Sequence, residues 1–144
     1  SAFSLHRFAY SFQSEAKNIG LDLYPSIHYF FPVLPLIYHK DSLDTILKSF
    51  EIYTALAKSP EIKSGLQDRI NKMSKQTFDA LNLAFYKELM TFEKQTNSIV
   101  CLKNPINRTF NNDVKEILLG ANKLGRWFAK TPPEELQVML NIQL

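Results

Sequence analysis

Apolar residues at Leu5, Phe8, Ala9, Phe12, Ala16 and Ile19 recur every three or four positions, so they share one helix face. Gly20 follows where a left-handed residue would close that helix. The next stretch, LDLYPSIHYFFPVLPLIYHK over residues 21–40, is apolar on every side and carries Pro32 and Pro35, each without an amide donor. A buried, kinked helical segment is expected there, with an extended stretch as the alternative. Ser42 is placed to cap a further helix, whose stripe of Leu43, Ile46, Leu47, Phe50, Tyr53 and Ala57 ends at Lys58-Ser59-Pro60.

Ser59, with Pro60 at the favoured first position, opens a helix carrying Ile62, Leu66, Ile70 and Met73. Ser74 opens another through Phe78, Leu81, Phe85, Leu89 and Phe92, giving two helices joined by a short turn. The β-branched run SIVCLK has strand length, and the turn-forming NPINRTFNN of residues 104–112 would bend it into a hairpin. From Asn112 onward Val114, Ile117, Leu118, Ala121, Leu124 and Phe128 lie on one side of a helix. Thr131-Pro132-Pro133-Glu134 matches a capping box for a last short helix with Leu136 and Leu140. The pattern predicts a mainly α fold: one compact domain over residues 1–144, about six helices, a small β-hairpin and a winged-helix-like arrangement in the centre.

Composition narrows the chemistry more than the fold. A net charge of +3, from 17 Lys+Arg against 14 Asp+Glu, is too mild to argue by itself for nucleic acid. Cys101 is the single cysteine, which excludes an internal disulfide and, with scattered His6, His28 and His39, leaves no zinc-ligand spacing. A reducing cytoplasm fits. The most apolar run, residues 29–38, is half of the roughly 20 residues that span a bilayer, so no membrane span is read. Ser1 and Ala2, without an initiator methionine or a leader, read as a cloning scar or a trimmed end.

Candidate catalytic residues are few. Cys101 lies in a strand-like apolar run with no base placed by a local motif, and His39 near Asp41 reads more readily as structural than as an orienting group. Glu134 and Glu135 are accounted for by a helix N-terminus. Glycines at Gly20, Gly65, Gly120 and Gly125 form no phosphate-cradling loop, so no ATP site, no cofactor, no metal and no small-molecule substrate is expected. The expectation is a protein that is not an enzyme.

Two surfaces carry the binding hypotheses. Leu119, Lys123 and Trp127 fall at i, i+4 and i+8 on the back of the helix over residues 112–128, with Lys115 and Arg126 beside them. A helix apolar on two sides contacts two things. Here the second is either another helix of the same domain or a protein partner, for which Trp and Arg are favoured anchors. The rival surface lies in the paired helices at the centre, where Lys63, Arg69, Lys72 and Lys75 suit phosphate contacts, although the second helix offers no arginine to read guanine edges. That order of elements gives the alternative reading, a winged helix-turn-helix DNA-binding protein or transcriptional regulator.

The segment FFPVLPLIYHK, the helices that follow with SP at their junction, and the closing LGRWFA helix resemble the middle component of bacterial three-component ABC systems, conflict loci that include Lamassu-type anti-phage systems. The resemblance runs from about Leu21 to the end. It is most specific at Leu34-Pro35-Leu36 with His39 and at Leu124-Gly125-Arg126-Trp127-Phe128-Ala129. It implies a small non-enzymatic subunit that accompanies an SMC/Rad50-like ABC ATPase and an effector, often a nuclease, with non-specific DNA contact arising within the complex. On that reading Arg126 and Trp127 sit at the partner contact and Gly125 permits close helix approach.

Overall fold

The computed structural model describes residues 1–106 and 109–144, and among these the fold is built from seven α-helices, two short 3-10 turns and one two-stranded antiparallel sheet. Helix α1 spans Ala2–Asn18 and buries Leu5, Phe8, Phe12 and Ala16, as the spacing predicts. Its end is closed by Gly20 at φ +81°, with the Leu21 amide donating to the Ala16 carbonyl at 2.8 Å and the Gly20 amide to Lys17 at 3.1 Å. Paired bonds of this kind satisfy carbonyls that the last turn would leave open.

The proline-rich stretch is a 3-10 turn over Ile27–Phe30 followed by the five-residue helix α2, Val33–Ile37. Pro32 precedes α2 and Pro35 lies in its first turn, where amides have no intrahelical acceptor, so neither proline removes a bond. Helix α3, Lys40–Leu47, is capped not by Ser42 but by His39, whose Nδ1 accepts from the Ser42 amide at 3.3 Å. The single helix expected through Phe50 and Tyr53 is broken: α3 stops, the chain turns, and α4 begins as Ile52–Lys58.

The two helices expected around Ser74 are one. A second 3-10 turn, Pro60–Ile62, leads to Gly65 at φ +69°, and α5 then runs unbroken over Leu66–Tyr86. Ser74 does not cap; its hydroxyl donates to the Asn71 carbonyl at 3.0 Å. The helix pair of the centre is therefore shifted: α4, the turn over residues 59–65 and α5 follow one another ahead of the hairpin, with no break at Ser74. Helix α5 also ends before Leu89 and Phe92, because Glu88 takes the left-handed conformation and the Leu89 amide returns to the Ala84 carbonyl. Strand β1, Met90–Glu93, then pairs with β2, Ser98–Cys101, in the register Phe92 opposite Ile99. The hairpin turn thus precedes the run SIVC, which is the second strand, instead of following it. The turn expected at residues 104–112 falls partly on 107 and 108, which lie outside the described residues.

Helix α6, Asn112–Ala129, is capped by Asn111, whose Oδ1 accepts from the Val114 amide at 2.9 Å, and α7 spans Pro133–Leu140. The capping box at Thr131 does not form: the Thr131 hydroxyl donates back to the Trp127 carbonyl at 2.9 Å, and Pro132 occupies the cap. Helix α1 packs along α6 on one side and meets α5 on another, around a cluster of Phe8, Phe12, Tyr29, Phe30 and Phe128. Gly125 makes that closeness possible, since a Cβ there would collide with the Phe8 carbonyl oxygen and lie 2.9 Å from Ser11 Cβ.

Candidate functional site

The opposite face of α6 meets the corner between α3 and α4. Trp127 is only 2% exposed, and its indole N–H donates to the Phe50 carbonyl at 2.9 Å. Its ring is packed among Leu36, Ile46, Ile52, Ala55, Leu124 and Leu140. One turn earlier, the Lys123 ammonium donates to the carbonyls of Leu47 at 2.7 Å, Ser49 at 2.8 Å and Ile46 at 3.3 Å. The Ile46 carbonyl also accepts from the Ser49 amide at 3.2 Å, so the ammonium adds bonds at and just past the end of α3, where a cation is favoured by the helix dipole as well. Ser49 Oγ donates to the Thr45 carbonyl at 2.7 Å and Lys58 Nζ to the Lys48 carbonyl at 3.3 Å, so the corner's backbone is held from several directions.

With its carbonyl turned inward, Phe50 turns its ring outward and is 91% exposed. Tyr53, also exposed, donates its hydroxyl to Glu135 Oε1 on α7, a bond that, with the nearby acids, raises the phenol above its usual range. Burial, followed by the charges of Arg126 and Lys58, pushes the Lys123 ammonium below the ordinary lysine range. The corner therefore crowds cations around a projecting aromatic ring.

The ridge of Leu119, Lys123, Arg126 and Trp127 divides on this geometry. Trp127 and Lys123 face inward and fasten the corner; Leu119 is 55% exposed and Arg126 is half-buried. Of the two contacts read for this ridge, another helix of the same domain or a partner, Trp127 makes an internal one, to the α3–α4 corner. Phe50, the most exposed aromatic, was placed by its spacing on a buried stripe. No local signal marks the break, which is fixed by two side chains more than seventy residues further along the chain.

The other proposed surface is occupied differently. Lys72 pairs with Asp68 at 2.9 Å and Lys75 with Asp79 at 2.8 Å, each four residues away on exposed α5. Arg69 donates to the carbonyls of Ser64 at 2.9 Å and Ile62 at 3.2 Å, leaving Lys63 as the exposed cation beside them. Chemistry elsewhere is muted. Burial pushes the Cys101 thiol up to about 12, which keeps it protonated at neutral pH. His6 Nε2 lies 2.7 Å from the Lys103 carbonyl and its pKa is lowered, chiefly by burial. Among the described residues no group of three or more His, Cys, Asp or Glu side chains could hold a metal, and no helix is long and apolar enough to cross a membrane.

No curated protein and no solved structure matches this chain. A protein-family model does, over residues 1–144, and its description is ABC-three component (ABC-3C) system Middle Component 3.

Proposed function

The chain belongs to the ABC-three component system Middle Component 3 family, and on that premise we propose that it is a non-catalytic subunit bridging an SMC/Rad50-like ABC ATPase to an effector, often a nuclease. The complex would act in the bacterial cytoplasm against phage or plasmid DNA, in the manner of Lamassu-type systems. The family match over the full 144 residues carries this reading, because a middle component is defined by what it assembles with. In support, the outward side of the corner and of α6 offers Phe50, Leu119 and Arg126 to a partner, while Lys123 and Trp127 hold that surface from behind.

The alternative, a winged-helix DNA-binding regulator, is weakened by the side chains rather than by the order of elements. Along α5 Lys72 and Lys75 already have carboxylate partners, and the Arg69 guanidinium is bonded to backbone carbonyls, so the helix that would enter a groove has few free cations to offer. Within the complex we assign DNA only a non-specific phosphate contact, through Lys63, Lys72 and Lys75, with Arg69 a weaker contributor because its guanidinium is bonded to backbone carbonyls.

The test is co-purification of the tagged, full-length chain with the other two components of its own system, after nuclease digestion. Recovery of the ATPase and effector in fixed stoichiometry is expected. Recovery of the chain alone, or recovery that nuclease abolishes, would overturn the proposal.

A further inference from the structure

We infer that Phe50 is the anchor of a protein–protein contact, a fixed aromatic knob that enters an apolar pocket edged by Asp or Glu side chains on a partner subunit. The inference rests on the bridging reading and assigns it a surface. Exposure alone would not suffice, since single apolar side chains at the surface are common. What sets Phe50 apart is that its backbone has little freedom left to lose. Its carbonyl accepts from the Trp127 indole at 2.9 Å, the preceding carbonyl from Lys123 at 2.8 Å, and Ser49 is bonded back to Thr45. A side chain presented from a fixed backbone gives up less entropy on binding than one on a loose loop.

Charge indicates the nature of the partner. Lys48 and Lys58 are exposed on the corner, and Lys123 and Arg126 are half-buried behind it. Lys58 Nζ donates to the Lys48 carbonyl and Lys123 Nζ to the carbonyls of Leu47 and Ser49 on either side of it, which places these two cations close together. Among the described residues the ion pairs are Lys72–Asp68 and Lys75–Asp79, both on α5, so the corner's cations have no carboxylate of their own. Glu51 adjoins Phe50 in the chain and is in none of those ion pairs, while Glu135 is bonded to Tyr53, on the α4 and α7 side. A partner pocket rimmed with carboxylates on the α3 and α6 side and neutral near Tyr53 would complement this distribution. Single-stranded nucleic acid, which also takes aromatics and cations, is disfavoured. It requires successive stacking platforms along a groove, and here the second exposed ring of the corner, Tyr53, is tied through its hydroxyl to Glu135.

The test uses the full chain immobilised and titrated with each of the other two components of its system, with nuclease present. Phe50→Ala is expected to melt like the wild type and to weaken binding of one component by about 30-fold or more, as truncation of a central aromatic anchor does. Lys58→Glu with Arg126→Glu is expected to slow association and flatten its dependence on salt. If the wild type binds a component and Phe50→Ala binds it within about twofold, on the scale of a rim contact, this inference falls and the bridging role stands. If the wild type binds neither component, both fall. Binding that appears only without nuclease would replace the protein partner with nucleic acid and overturn the inference.

Discussion

The chain has two cationic regions that use charge in opposite ways. On α5, Lys72 and Lys75 are neutralised by Asp68 and Asp79 one turn away, an arrangement confined to one exposed helix face. At the α3–α4 corner Lys123 meets backbone carbonyls from a different part of the chain and Lys58 meets that of Lys48, and among the described residues neither is in an ion pair. The first pattern solubilises a helix. The second holds a turn together and leaves unbalanced positive charge beside an exposed phenyl ring. Counting lysines along the sequence favours α5; asking what each lysine touches favours the corner.

The comparison breaks most severely at Trp127. Trp127→Ala removes a buried ring and the bond that orients Phe50, and a loss of about 3–5 kcal/mol in urea or guanidinium unfolding is expected. A change under about 1 kcal/mol would mean that the corner is held some other way. Lys123→Met keeps most of the stem but deletes three charge-assisted bonds, and a loss of about 1–3 kcal/mol is expected in the same assay.

An alkaline titration separates the buried end of α6 from exposed α5. Tyr29 donates its hydroxyl to the Thr131 carbonyl at 2.9 Å, and burial, followed by the charge of Glu134, pushes its pKa from 10.0 up to about 12. The folded state keeps this proton while the unfolded chain loses it. The stabilisation is therefore complete below pH 10 and is lost as pH rises from there towards about 12. Tyr29→Phe should flatten that part of the melting-temperature profile, and Lys75→Met should leave it nearly unchanged. The smallest effect is expected for Lys72→Gln and Lys75→Gln, each of which should melt like the wild type, because exposed i, i+4 pairs contribute little.

What could be read from the sequence follows the range of the interactions involved. Helix α1 and its Gly20 stop are local matters of period and glycine conformation, and the approach of α6 to α1 was signalled by Gly125. The end of α5 was not readable, because Glu88 adopts a left-handed conformation that usually advertises itself as glycine or asparagine. The apolar stripe then ran on falsely into β1. At the candidate site, Leu119, Lys123, Arg126 and Trp127 were legible as a ridge from spacing alone, but which of them face inward was not. Phe50 was placed in the core because the break after α3 depends on Lys123 and Trp127, which no local pattern around Phe50 contains. His39 caps α3 through the Ser42 amide, in place of the serine cap that the sequence suggests.

The most direct measurement is lysine acetylation footprinting of the chain, free and within the complex purified with its partner components. Lys48 and Lys58 should become protected in the complex while Lys72 and Lys75 are labelled as in the free chain. Protection of Lys72 and Lys75 with Lys48 and Lys58 unchanged would contradict the account and move the interface to α5.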